Sequence, residues 1–549
     1  MPFQGSRLYS SSSTTTPSSS SSSSPTSTFP NDVTNDSEYF QDDNDDDDTI
    51  YALSSGSMSG QATAVAVIRL SGPQAHTTLQ GLLGDHQSMP PNRKAVVRTL
   101  YDAHGSPLDQ ALVLTFTGPR SFTGQDIVEL HCHGSRAVLM GVLDRLGEMD
   151  GTRLAEAGEF TQRAYAAGKL GLLQVEALAD LLHADTQSQR QQALQQLEGK
   201  LSELYTDWRQ QLTRGLAHAE AVIDFGDDEQ LTEDDDNYDD DDQDDSLVWG
   251  SVRDQMQSLL QEMATHLQDA RRGELVREGV RVAIVGPPNA GKSSLFNILA
   301  QRDAAIVSPT AGTTRDVLEL ALDLGGIRCA LSDTAGVREE TSDSIEQVGI
   351  ERARQTAKRA DVVVAMVDGT DEEQGLETVS RLMEENHVQE DDTHVLLVTN
   401  KADLMDSGHS QSHDGPTTPQ ATPYSPFQAR FAMSCETNQG IDEFVQALTN
   451  VVKSRVEGNT VSTSTPTPTT ATGNTAEGAL ITRARHRQHV EAAHEALTRF
   501  VDLSTQGSMV VDLAAEELRL AASELGRITG AVDVEDVLDV LFADFCIGK

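Results

Sequence analysis

The sequence predicts a multidomain chain, with an N-terminal α+β domain, an α-helical domain, and an α/β domain inserted between two halves of the helical one. Three observations predict it. Short apolar runs alternate with turns over residues 49–165, as strands and occasional helices do. Residues 170–225 are rich in leucine and glutamine and free of proline, and helical pattern returns at Ile481–Leu503 and Leu513–Leu525. Between those halves Arg281–Leu299 reads RVAIVGPPNAGKSSLFNIL, which is an apolar strand, a glycine loop and an apolar-periodic segment in succession.

That inserted stretch carries the chemistry. Val282–Val285 suits a buried strand, Gly286–Ser293 fits the phosphate-loop pattern G-x-x-x-x-G-K-S, and Ser294–Ala300 reads as a helix. Strand, loop and helix in that order aim the loop amides and the positive end of the helix dipole at one anion. Asn289, Ala290, Gly291, Lys292, Ser293 and Ser294 would then wrap nucleotide phosphates. Lys292 supplies a cation for the β- and γ-phosphates, and the Ser293 hydroxyl a magnesium ligand. Downstream, Gly312, Thr313 and Thr314 open the run GTTRD, where a threonine senses the γ-phosphate and completes the magnesium shell. Asp333, Thr334, Ala335 and Gly336 follow the apolar run Cys329–Leu331, so that a carboxylate reaches magnesium through water and a glycine amide meets the γ-phosphate. Val362–Val367 and Val395–Thr399 are further buried strands, the second ending in Asn400, Lys401, Ala402 and Asp403. A fixed carboxylate at Asp403 accepts from both N1–H and the exocyclic amine of guanine, a pair adenine does not offer. Ser434, Cys435 and Glu436 occupy the place of a base-backing loop. These motifs, in order and each at a strand end, make the insert an α/β P-loop GTPase domain of the Ras-like class.

Val337 stands directly after the DTAG run, where many small GTPases carry a water-orienting glutamine. Another group must orient water and neutralise charge, a task for which an arginine finger is worth about 10³–10⁵ in rate. Asn289 offers an oxygen that would hold a monovalent cation beside the phosphates, with carbonyls and hydroxyls of residues 308–313 finishing the shell. Glu346 is the candidate to position water. On spacing alone, a loop asparagine and a solvated helix-face carboxylate are the simpler readings of these two residues.

Composition bounds the rest. A length of 549 residues allows several domains, and the formal net charge of −45 argues against broad nucleic-acid binding through the overall field. Any RNA contact falls to a local basic surface or a partner protein. No apolar run is long enough to span a membrane. Cys132, Cys329, Cys435 and Cys546 are scattered without ligand spacing, as in a reduced compartment. His131 and His133 flank Cys132, but a strand would splay these neighbours to opposite faces. Residues 1–48 are a low-complexity Ser/Thr/Asp-rich stretch that buries no core. Its acid-free, serine-rich start suits an organellar transit peptide; Arg7 is its one cation, and a mis-assigned start or a disordered tail fits equally well. The expected order is the α+β domain at 49–165, then the first helical half at 166–277. That half contains a solvated, disordered acidic insertion at 227–245 with 13 carboxylates in 19 residues, followed by a helix over Val252–Leu267. The GTPase domain follows at 278–455, a Thr/Ser/Pro linker at 456–477, and the second helical half at 478–549.

With the tail FCIGK at Phe545–Lys549, the combination becomes specific. An inserted domain bearing GPPNAGKS and GTTRD, together with PRSFTG at 119–124, AGEF at 157–160, Lys169–Leu170 and Glu176–Ala177, resembles the MnmE (TrmE) family of tRNA-modification GTPases. The similarity spans roughly residues 48–549 outside the two insertions, which with the serine-rich start resemble a fungal mitochondrial version. The resemblance implies a homodimer formed through the N-terminal domain, which binds 5-formyltetrahydrofolate or a related folate as one-carbon donor. It implies an FAD-dependent partner of the MnmG (GidA) type, and an aminomethyl-type group added at C5 of the wobble uridine of tRNAs. It also implies a GTPase stimulated by potassium, with Asn289, Ser308, Thr310 and Thr313 around potassium, Ser293 and Thr314 on magnesium, and Glu346 orienting water. Folate would meet Arg69, Glu129, Lys169 and Lys549, and Cys546 is either part of the modification chemistry or a small buried apolar residue. Residues 54–62 lack the proline- and glycine-rich loop usual in the family at one edge of that pocket. The alternative function is a ribosome-assembly type of GTPase that binds RNA directly, against which the tail and the lack of a basic RNA-binding module after the GTPase domain both argue.

Overall fold

In the computed structural model the described residues are 48–549, apart from 57–61, 86, 227–241, 303, 307–317, 334–354, 386–392, 406–426, 458–480, 507–509, 533–534, 544, 546–547 and 549. Alternation of apolar and polar side chains builds the first layer. Strands β1 (Thr49–Ser55) and β2 (Thr63–Ser71), helix α1 (Ala75–Leu83), and strands β3 (Val96–Tyr101), β4 (Pro107–Phe116) and β5 (Ile127–Gly134) come first. Helix α2 (Arg136–Gly147) and strand β6 (Thr152–Leu154) complete the domain. The strands form one sheet in the order β3-β4-β5-β2-β1-β6. Ala66, Ile68 and Leu70 of β2 point to the face that α1 and α2 cover through Leu79, Leu82, Leu139 and Val142. Val67 and Arg69 therefore face the other way. The same alternation buries Cys132 on β5 and leaves His133 outward beside Asp109.

The helical region follows as α3 (Glu159–Ala166), α4 (Leu172–Leu182), α5 (Gln187–Leu197), α6 (Lys200–Gly226), α7 (Asp242–Gln268) and α8 (Ala270–Glu278). Helix α7 begins well before the expected Val252 and takes in the last residues of the acidic block, which corrects the reading of 227–245 as wholly disordered. Carboxylates in a first helical turn meet the positive end of the dipole, and the stripe Val252, Met256, Leu259 and Met263 anchors the helix in the core. The rest of the acidic block lies outside the described residues.

The inserted domain consists of β7 (Val280–Val285), α9 (Lys292–Ala300), β8 (Leu318–Leu324), β9 (Ile327–Asp333), β10 (Val362–Asp368), α10 (Glu372–Glu385), β11 (His394–Asn400), β12 (Ala429–Ala432) and α11 (Ile441–Glu457). Its sheet order is β12-β11-β10-β7-β9-β8, parallel except for the β8–β9 hairpin. The central strands read as unbroken apolar runs because both faces are packed. Helix α11 carries the domain past residue 455, since Val456 is buried in its core.

The chain then returns to the helical region as α12 (Ala484–Ser504), α13 (Val511–Thr529) and α14 (Glu535–Ala543). Helices α6, α7, α12 and α13 close one core around Tyr205, Trp208, Leu212, Met256, Phe500 and Leu518. The α4–α5 pair sits over both chain crossings into the insert. Arg277 Nε and Arg483 Nη2 donate to the same Asp180 oxygen at 3.0 and 2.8 Å, while Gln189 donates to the Arg277 carbonyl and Gln196 to Thr482.

Candidate functional site

Two sites emerge from this frame, one in the inserted domain and one in the N-terminal domain. The first grows from β7, which is buried along its length and ends at the phosphate loop. Asn289 sits at φ 62°, a left-handed conformation that asparagine tolerates better than most residues. Gly291, at φ 101°, is the N-cap of α9, and a Cβ there would lie 2.1 Å from Asn400 Nδ2. Only glycine fits that close approach. Helix α9 begins at Lys292 rather than Ser294, so Lys292, Ser293 and Ser294 form its first turn. The Lys292 ammonium folds over the loop mouth and donates to the Gly286 and Pro287 carbonyls at 3.0 and 2.8 Å. The N-terminus of α9 and the Lys292 ammonium thus meet at the phosphate loop, as an anion site requires.

Asn400 ties the phosphate loop to the base-side loops. Its Nδ2 donates to the Ala290 carbonyl at 2.9 Å, and its Oδ1 accepts the Cys435 amide at 3.0 Å. Ser434 is fully buried, and burial pushes the Cys435 thiol up to about 11. Asp403 lies exposed on the short turn Ala402–Leu404, and Glu436 is also exposed. Asp333 closes β9 in register with Ile284 of β7, level with the start of the phosphate loop. Thr334, Ala335, Gly336, Ser308, Thr310, Gly312, Thr313, Thr314 and Glu346 lie outside the described residues.

The second site lies on the sheet face opposite α1 and α2. Arg69 on β2 and Glu129 on β5 are direct cross-strand partners and pair at 3.1 Å. The Arg69 guanidinium carbon lies 5.8 Å from the Phe122 ring centre and 5.7 Å from that of Phe160. Lys169 follows α3, its amide held by the Ala164 carbonyl, and its Cε lies near Gly124 of the PRSFTG loop. Beneath them, the buried Glu159 carboxyl is held below its usual range. Burial works against this, but Arg153, the Glu156 amide and Arg163 outweigh it through contacts at 2.7, 2.9 and 3.0 Å. The chain terminus reaches the same domain, since Ser54 Oγ at the end of β1 donates to the Gly548 carbonyl at 2.9 Å. Ala52 of β1 pairs with Arg69, which puts the tail one strand away from the arginine. Cys546 and Lys549 lie outside the described residues. Phe122 and Phe160 stood in recognised motifs without an assigned role; their signal is an aromatic on each of two segments that must close over a cation.

A family model described as "MnmE helical domain" matches residues 172–546, and one described as "GTP-binding protein TrmE N-terminus" matches 49–169. The mitochondrial 5-taurinomethyluridine tRNA synthase subunit GTPB3 of Rattus norvegicus is 43% identical over 508 residues, covering 91% of this chain and 93% of its own. The tRNA modification GTPase MnmE of Parvibaculum lavamentivorans is 44% identical over 503 residues, covering 91% of this chain and 100% of its own. Among the described residues no helix is long and apolar enough to cross a membrane. With both family models and near-full-length relatives in agreement, the chain belongs to the MnmE/TrmE family of tRNA-modification GTPases.

Proposed function

We propose that this chain is a potassium-stimulated GTPase that, with an FAD-dependent protein of the MnmG type, modifies C5 of the wobble uridine of mitochondrial tRNAs using a folate one-carbon donor. The observation that carries the GTPase half is the Asn400 tie, which brings the phosphate loop, the N-K-A-D turn and the Ser434–Glu436 loop to one place. The mitochondrial setting and the tRNA substrate are those of the similar GTPB3 proteins.

Lys292 and the α9 amides bind the β- and γ-phosphates, and Asp403 selects guanine. Ser293 and Thr314 are the magnesium ligands. Asn289, Ser308, Thr310 and Thr313 would hold potassium, which would supply positive charge where an arginine finger otherwise does. Asn289 suits that role because it carries an amide oxygen in the phosphate loop two residues before the α9 N-cap. Glu346 holds the attacking water.

At the second site, Arg69 between two phenyl rings fits a ligand with both a flat ring and a carboxylate, as folates have. Glu129 accepts from a pterin amide, while Lys169 and Lys549 meet the glutamate tail. The folate would supply the one-carbon unit, and Cys546, in the same tail as Lys549, is the candidate for the modification chemistry. Dimerisation through the N-terminal domain completes the reading.

The test is GTP turnover of the full chain in potassium against sodium at matched ionic strength, with wild type and Asn289→Ala. Strong potassium dependence that Asn289→Ala abolishes is expected. Equal turnover in both salts overturns the cation assignment.

A further inference from the structure

We propose that Asp368 is a positioning residue for guanine-nucleotide binding, acting by holding the Lys401 side chain against the base pocket. The proposal rests on the base-site reading of the N-K-A-D turn and adds a residue outside that motif. Asp368 is the last residue of β10 and lies in register with Asn400, the last of β11. Its Oδ2 accepts from Lys401 Nζ at 2.5 Å. Its Oδ1 accepts from the Thr370 amide and hydroxyl at 3.0 and 2.7 Å. Both oxygens are engaged, so the carboxylate cannot rotate away.

Lys401 itself needs such an anchor. It sits at φ 62°, a conformation that costs a non-glycine residue free energy and persists only where its surroundings over-determine it. The backbone on either side is fixed, with the Gly369 amide on the Asn400 carbonyl and the Ala402 amide on the Met433 carbonyl, at 2.8 and 3.1 Å. Its neighbours in sequence are Asn400, which ties the phosphate loop, and, after Ala402, the guanine acceptor Asp403. The lysine therefore leaves the chain between the residue that ties the phosphate loop and the guanine acceptor, with its ammonium on Asp368. With its ammonium pinned on Asp368, the stem methylenes become a fixed apolar wall for a flat ring, as long cationic side chains do when only the head is solvated or paired. An ammonium without that partner would keep its rotamer freedom and lose it only on binding nucleotide.

The experiment uses the full chain with fluorescent mant-GDP and with GTP. Asp368→Asn keeps an acceptor for Thr370 and removes the ion pair. The mant-GDP Kd and the KM for GTP are expected to rise about tenfold, while kcat at saturating GTP changes by less than about twofold. Lys401→Ala also weakens binding, and adding Asp368→Asn to it costs nothing further, whereas a merely structural aspartate would cost the same in both backgrounds. If Asp368→Asn does not fold, Thr370→Val carries the test with an expected loss of about threefold. An affinity within twofold of wild type in whichever variant carries the test, or full additivity with Lys401→Ala, overturns the proposal. A wild-type chain that failed to bind mant-GDP would overturn the base-site reading beneath it, a result separable from the first.

Discussion

Replacing Gly548 by alanine separates the two sites. Gly548 has φ 97°, and a Cβ there would lie 2.6 Å from the Leu53 carbonyl oxygen. That oxygen cannot retreat, because Leu53 is paired with Ile68 within the sheet. The left-handed conformation costs alanine about 1–2 kcal/mol. Displacing the tail also gives up the Ser54 hydrogen bond, worth about 1 kcal/mol. Together these weaken docking of the tail by about 2–3 kcal/mol, roughly 30- to 150-fold. The assay is calorimetric binding of 5-formyltetrahydrofolate, run beside GTP turnover on the same preparation. Folate affinity should fall by at least an order of magnitude with GTP turnover unchanged, because the phosphate loop lies in another domain. Folate affinity within threefold of wild type would refute the reasoning that the docked tail completes the pocket.

Two further outcomes follow from buried polar groups. Burial beside Tyr205 and Trp208 pushes His266 down to about 4, so the folded state disfavours the proton that the unfolded chain takes up near pH 6.5. Its contribution to stability is full above pH 6.5 and is lost as pH falls toward 4, a loss of about 3 kcal/mol. Both tryptophans, Trp208 and Trp249, lie on α6 and α7, so denaturant unfolding followed by tryptophan emission at pH 7 and 4.5 reads that bundle. His266→Phe should lack this part of the acid loss, and an identical loss in both proteins would contradict it. Asp180→Ala strips the carboxylate shared by Arg277 and Arg483, at a cost of about 2–3 kcal/mol. Energy transfer between labels on α11 and α13 should then report a broader range of distances, and an unchanged distribution would show that the shared carboxylate does not hold the crossings.

Much of the nucleotide site was legible because its chemistry is contiguous. A buried strand, a glycine loop and a helix start occupy fewer than about twenty residues, and each obeys a local rule of period, φ or dipole. The same holds for the turn at Asn400–Asp403 and for the alternation that buries Cys132. Strand β1 and helix α14 escaped the reading, since the apolar run of β1 is confined to Ile50–Leu53 and α14 is only nine residues long. The acidic block misled by composition alone, because repulsion among carboxylates does not prevent the last of them from joining the first turn of a helix whose apolar stripe is anchored further on. What the sequence determined by itself is therefore the phosphate loop, the guanine turn and the order of domains. Tertiary structure alone decided that Asn400 joins Ala290 to Cys435, that Arg69 lies between Phe122 and Phe160, that Asp180 grips both Arg277 and Arg483, and that Gly548 lands on β1. Each of these joins residues far apart along the chain, where no local period operates and only the packing of whole layers sets the distance.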